Sequence, residues 1–174
     1  MRIDGLKPVL TPEQIDKRVR ELAVEIEQQY AGKNLVMVCV LKGAFLFFAD
    51  LVRCLHNRPQ IDFLRAMSYG DGTNPQELQC TKDVELSVAG KHVLLVEDII
   101  DTGQTVSLLK QRMLGKGAAS VRVVALLEKA ARRKTLVSVD FSGFAIPDSF
   151  VVGYGLDYAE QYRELPGIFE AVPE

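Results

Sequence analysis

Runs of apolar residues without polar alternation constrain this chain most. Leu35–Leu41 reads LVMVCVL, Val93–Val96 reads VLLV, and Ser120–Leu127 is apolar apart from Ser120 and Arg122. A strand with one wet face alternates between apolar and polar residues. A strand without alternation is covered on both faces, as in a parallel sheet with helices on either side. The intervening stretches have helical spacing. Thr11-Pro12-Glu13-Gln14 is a helix start with Thr11 as N-cap and Gln14 closing a capping box, after which Ile15, Val19, Leu22, Ala23 and Ile26 share a face up to Ala31-Gly32. A second helix carries Phe45 to Leu55, and a third runs through Val106, Leu109 and Met113 to Gly115. The class expected is α/β, a central mostly parallel sheet flanked by helices. Ile61–Met67 is a further strand, with Leu78–Leu86 as its return strand. From Val137 onward the chain has short β-like pieces instead of another long βα unit.

The junction His92 to Ser107, HVLLVEDIIDTGQTVS, concentrates the chemistry. The strand is expected to stop near Glu97, which sets Glu97, Asp98 and Asp101 at its carboxyl end, where open α/β sheets bind ligands. Thr102, Gly103, Gln104 and Thr105 follow at a helix N-terminus, where free N–H donors and the helix dipole favour an anion. The carboxylates suit sugar hydroxyls, a divalent cation or a proton. A phosphate cradle beside several acids points to a sugar phosphate with Mg2+. An acidic loop capping a helix is the plainer reading of Asp-Thr-Gly alone.

Composition narrows the setting. A net charge of −2 gives no basic footprint, so no nucleic acid is expected as a partner. Cys39, Cys54 and Cys80 are an odd number without metal-ligand spacing and read as reduced thiols, with Cys80 a weak candidate for oxidation. No apolar stretch reaches the ~18 residues needed to span a bilayer, so no membrane is expected and a cytoplasmic location is the default. At 174 residues the chain is most simply one domain.

Val96 to Gly103, VEDIIDTG, resembles the phosphoribosyl pyrophosphate signature of the type I phosphoribosyltransferases, and most closely their hypoxanthine-guanine branch. The resemblance runs from the helix near Thr11 to Leu165, with the motifs in the family's order. It implies a core from about residue 11 to 136, a small hood from 1–10 and 137–174, and a flexible lid loop with Ser68-Tyr69 near its start. It implies transfer of the 5-phosphoribosyl group from phosphoribosyl pyrophosphate to hypoxanthine or guanine, a step of purine salvage. By the same resemblance Asp101 is the catalytic base. Glu97, Asp98, Thr102, Gly103, Gln104 and Thr105 hold the ribose and its phosphate. Lys42, Gly43 and Arg163 hold pyrophosphate, and the Leu41-Lys42 bond can be cis, although a cis bond is rare for any non-proline residue. Lys129, Phe150, Val151 and Asp157 hold the purine, and Asp157, Glu97 and Asp98 meet magnesium. Relatives form homodimers or homotetramers.

Each of these residues has a plainer reading. Lys42 is a lysine leaving the core by its long stem, Lys129 begins the basic run with Arg132, Arg133 and Lys134, Phe150 is core, and Asp157 with Arg163 is a surface ion pair. Three positions depart from the family: Gln104 stands where some relatives carry lysine, Ala44 replaces a second glycine, and Ala130 replaces proline. The alternatives in function are a phosphoribosyltransferase for another base such as xanthine, an RNA-binding regulator on the same fold, and a silent nucleotide-binding module.

Overall fold

The computed structural model describes residues 3–68, 78–129 and 138–173. Tyr69, and the basic positions Arg132, Arg133 and Lys134 with Ala130, lie outside them. Ser68 is the last residue of a strand, and only its backbone is described.

Helix α1 (Pro12–Gln29) starts where its capping residues predict. The Thr11 side chain accepts from the Gln14 N–H while Gln14 accepts from the Thr11 N–H, so two orphan donors are satisfied reciprocally. Its apolar face is buried from Ile15 to Ile26. Each such leucine or isoleucine contributes on the order of 1.5–3 kcal/mol by leaving water.

The central sheet has six strands in the order β4 (Leu78–Lys82), β3 (Gln60–Ser68), β2 (Leu35–Leu41), β5 (His92–Ile100), β6 (Ser120–Glu128) and β7 (Phe141–Ala145). All neighbours are parallel except β3 and β4. The two-residue period of the strands separates the core into two layers. Met37, Cys39, Leu94 and Val96 pack with α1 and α2 (Phe45–Cys54), whereas Val36, Val38, Val93 and Leu95 pack with α3 (Gln104–Gly115). A second, three-stranded antiparallel sheet joins β1 (Ile3–Leu10), β9 (Ile168–Pro173) and β8 (Val151–Val152). The two ends of the chain therefore meet in one small sheet, which is attached to the core by the 2.7 Å bond from the Tyr154 hydroxyl to Asp50 on α2.

Three expectations need correction. Strand β5 does not stop near Glu97 but runs to Ile100, because Ile99 and Ile100 pair with Leu127 and Glu128 of β6. Strand β4 stops at Lys82 instead of Leu86, because the buried Asp62 carboxylate takes the N–H groups of Glu85 and Leu86 at 2.7 and 2.8 Å, which removes them from a ladder. Phe141–Ala145, expected in the hood, extends the central sheet beside β6. The guanidinium of Arg18 on α1 holds it there through the carbonyls of Ser142 and Gly143.

Candidate active site

The chain leaves β2 to build β3 on one side and returns to place β5 on the other. The carboxyl ends of β2 and β5 therefore flank the point where strand order reverses, the position at which such sheets bind ligands. Lys42-Gly43 follows β2, and Asp101 to Thr105 follow β5.

A recess of about 260 Å³ lies at this point, and its walls include Lys42, Gly43, Glu97, Asp98, Asp101 and Thr105. The cradle works by backbone geometry. Gly103 is the N-cap of α3 in the left-handed region, with φ 81°, so it turns the chain into the helix without a side chain over the first-turn donors. The Ser107 N–H closes the first helical bond on Gly103 O at 3.0 Å. Gln104 is exposed and contributes no wall to the recess.

Because β5 continues through the acids, Glu97 and Asp98 point to opposite faces of the sheet. Glu97 follows Val93 and Leu95 toward the α3 side and lines this recess, whereas Asp98 lines both it and a second recess. Burial, with Asp98 adding like-charge repulsion, raises the Glu97 carboxyl well above the usual range. Burial pushes Asp98 up to about 6, opposed by the Ile99 N–H and by Arg163.

The second recess, about 200 Å³, adjoins the first through Lys42, Gly43 and Asp98, and adds Arg65, Asp157, Glu160 and Arg163. The Leu41-Lys42 peptide is cis. Gly43 is required by close approach, since a methyl group on it would meet the Asp98 Oδ2 at 1.6 Å. Gly155, at φ 99°, lies against the other side of the same turn, and a methyl group there would meet Gly43 O at 2.1 Å. Ala44 is buried in ordinary helical conformation, so no glycine is needed at that position. Arg163 donates to Gly155 O at 2.7 Å and pairs with Asp157 at 2.8 Å, while Lys42 pairs with Glu160 at 2.7 Å. Asp157 and Arg163 are thus an ion pair, as the plainer reading held, but one built into the wall of this recess.

Lys129 is buried. Its N–H donates to Ile100 O at 3.0 Å, beside Asp101, and its ammonium lies 3.6 Å from Asp148. Phe150 is 52% exposed, so it is not core, and its ring meets Tyr158 edge-on. Val151 is buried in β8. Neither Lys129, Phe150 nor Val151 lines the two recesses.

Among the described residues no three His, Cys, Asp or Glu side chains converge as a metal group. Glu97, Asp98 and Asp157 therefore do not form a cage. Asp98 and Asp157, which share the second recess, offer two oxygen donors, and magnesium is commonly held by one or two carboxylates together with substrate phosphates. Two residues of this corner escaped the sequence reasoning. Arg65 carried a signal, a cation near the carboxyl end of a strand, whereas nothing in the spacing of Glu160 marks its contact with Lys42.

Comparison with known proteins agrees with this geometry. Residues 9–159 match the phosphoribosyl transferase domain family. The chain is 43% identical over 169 residues to the hypoxanthine-guanine phosphoribosyltransferase of Bacillus subtilis, covering 97% of this chain and 94% of that one. It is 42% identical over 175 residues to the bifunctional protein TilS/HprT of Listeria innocua, of which it spans only 27%. A crystal structure of a Bacillus anthracis hypoxanthine-guanine phosphoribosyltransferase with HEPES in the active site superposes with a TM-score of 0.92 at 41% identity, covering 98% of this chain and all of that one. With its site at the sheet's switch point and a family match over most of its length, the chain belongs to the phosphoribosyl transferase domain family.

Proposed function

We propose that this protein is a purine-salvage enzyme that transfers the 5-phosphoribosyl group from phosphoribosyl pyrophosphate to hypoxanthine or guanine, releasing pyrophosphate. The observation that carries the reading is the pair of joined recesses. A cradle of helix N-terminal donors sits on one side of Asp98 and a corner with Lys42, Arg65 and Arg163 on the other. A substrate with a monophosphate at one end of a ribose and a diphosphate at the other spans such a site.

The ribose phosphate sits on the donors of Thr102 to Thr105, and Glu97 and Asp98 accept from the ribose hydroxyls. Those hydrogen bonds favour the ionised carboxylates that burial by itself disfavours. As the bond to pyrophosphate breaks, the ribose becomes oxocarbenium-like. Lys42 and Arg163 stabilise the departing charge, and the carboxylates beneath the sugar stabilise the developing cation. Asp157 and Asp98 would hold magnesium together with the phosphates, and the ion would supply further neutralisation of the leaving group. Asp101, at the mouth of the cradle, removes the proton from the purine's imidazole ring as the ring nitrogen attacks. Lys129 donates to the purine oxo group, and Phe150, which presents an exposed ring, stacks on the base. The setting is cytoplasmic and the assembly a homodimer or homotetramer. No helix among the described residues is long and apolar enough to cross a membrane.

The test is nucleotide formation from phosphoribosyl pyrophosphate with hypoxanthine, guanine, xanthine and adenine in parallel, with magnesium, for wild type and Asp101→Asn. Turnover of a 6-oxopurine that falls by roughly 100-fold or more in the variant supports both reaction and base. No turnover of any purine by folded protein overturns the reading.

A further inference from the structure

The corner that takes pyrophosphate in the reading above already contains an anion of its own. One carboxylate oxygen of Glu160, Oε2, lies 2.7 Å from the Lys42 Nζ and 3.3 Å from the Arg163 Nη2. These two cations come from turns 121 positions apart, one after β2 and one in the hood, and a single oxygen bridges them. A phosphate oxygen bound between them would stand in the same relation to both.

The bridge is positioned by the backbone. Glu160 has φ 64°, in the left-handed region that a residue with a long side chain seldom adopts, and Ala159 and Tyr162 beside it are also at positive φ. The Glu160 N–H donates to Asp157 Oδ2 at 2.9 Å, and Tyr158 and Gln161 exchange backbone bonds, so the turn is closed on itself with Glu160 at its tip. Its side chain is 64% exposed, whereas that of Arg163 is 18% exposed. The cation is fixed in the wall and the anion is free to swing into solvent.

We propose that Glu160 is an anionic placeholder for pyrophosphate: it bridges Lys42 and Arg163, is displaced by the incoming diphosphate, and returns to help expel the product. This rests on the assignment of Lys42 and Arg163 to pyrophosphate. Displacement has two consequences. Before diphosphate binds, the Lys42 ammonium is kept oriented toward the guanidinium of Arg163, which Gly155 O and Asp157 already fix. The displaced carboxylate remains near the bound anion and weakens its binding, which favours release of the product. The device acts on the diphosphate end alone, because Glu160 lines the second recess and not the first.

The experiment is calorimetric titration of inorganic pyrophosphate, at fixed magnesium, into wild type, Glu160→Gln, Lys42→Met and Arg163→Met. It is paired with steady-state inhibition by pyrophosphate. Glu160→Gln keeps the shape and removes the charge, and Glu160→Asn is the second variant because asparagine tolerates a left-handed backbone. The expected result is that both Glu160 variants bind pyrophosphate about threefold or more tightly, as loss of one exposed charge contact predicts. Product inhibition should strengthen by the same factor, with KM for the purine unchanged. Unchanged or weaker pyrophosphate binding in both Glu160 variants, with weaker binding in Lys42→Met, overturns the placeholder while leaving the pyrophosphate corner in place. Wild-type binding in both Lys42→Met and Arg163→Met overturns the corner assignment, and the placeholder with it.

Discussion

The two halves of the site are built in opposite ways. The cradle and its acids come from one continuous stretch, Glu97 to Thr105, whose geometry follows from a strand ending and a helix beginning. The corner is assembled from β3, the turn after β2 and the hood, with Arg65, Lys42, Asp157, Glu160 and Arg163 spread over 122 positions. A local half depends on backbone donors, which no side-chain substitution removes. An assembled half depends on close approach between distant segments, so single atoms decide it. The corner should therefore be the more fragile half.

The largest effect is expected from Gly43→Ala. The added methyl group has no room beside Asp98, and Gly155 closes the other side, so the turn must move. Displacement of Lys42 by about 1 Å should lower kcat/KM by on the order of 100-fold, with the fold retained by circular dichroism. Activity within a few-fold of wild type would show that the corner tolerates rearrangement and would remove the contrast between the halves.

Next in size is Arg163→Met. It removes charge-assisted bonds to Gly155 O, Asp157 and Glu160 and, on the proposed function, a cation for the diphosphate. KM for phosphoribosyl pyrophosphate should rise roughly 10- to 100-fold, the scale of one lost charged hydrogen bond of about 1.5–3 kcal/mol. KM for the purine should stay near the wild-type value, and steady-state kinetics with each substrate varied in turn separates the two.

Glu97→Gln tests the local half through stability. Burial raises the Glu97 carboxyl above its unfolded value of 4.5, so the folded protein binds that proton more tightly than the unfolded chain does. Its contribution is fully present below pH 4.5 and is lost as pH rises through the folded value. The ligand-free variant should therefore melt above wild type at pH 8 by about 3 °C, on a scale of roughly 2–4 °C per kcal/mol for a chain of this size. The difference should shrink toward pH 4.5, and thermal melts across that range measure it. A difference independent of pH would place the cause in packing and not in ionisation.

The smallest effect is expected from Thr102→Ala. Its hydroxyl accepts from the Gln104 N–H at a long 3.4 Å, and the cradle's donors are main-chain groups. KM for phosphoribosyl pyrophosphate should change by about twofold or less, consistent with a single weak neutral hydrogen bond. A tenfold rise would show that the cradle also relies on side chains and would narrow the difference between the halves.

The sequence by itself determined the layers and the cradle. Unbroken apolar runs require strands covered on both faces, Thr11 and Gln14 define a helix start, and Gly103 between a strand and an amphipathic run defines a second helix start; all three are short-range patterns, and the structure has them. It did not determine where β5 ends, because the pairing of Ile99 and Ile100 with β6 is a contact between strands, and the acids were therefore read as a loop instead of as two faces of a strand. Nor did it reveal that Asp62 ends β4, or that Phe141–Ala145 belongs to the central sheet. The place of Arg163 in the corner was legible only through resemblance, because an arginine has the same propensity in a wall as on a surface. Glu160 stayed hidden for the same reason: its partner Lys42 lies 118 residues away, and only the folding of the hood onto the β2 turn brings the two charges into contact.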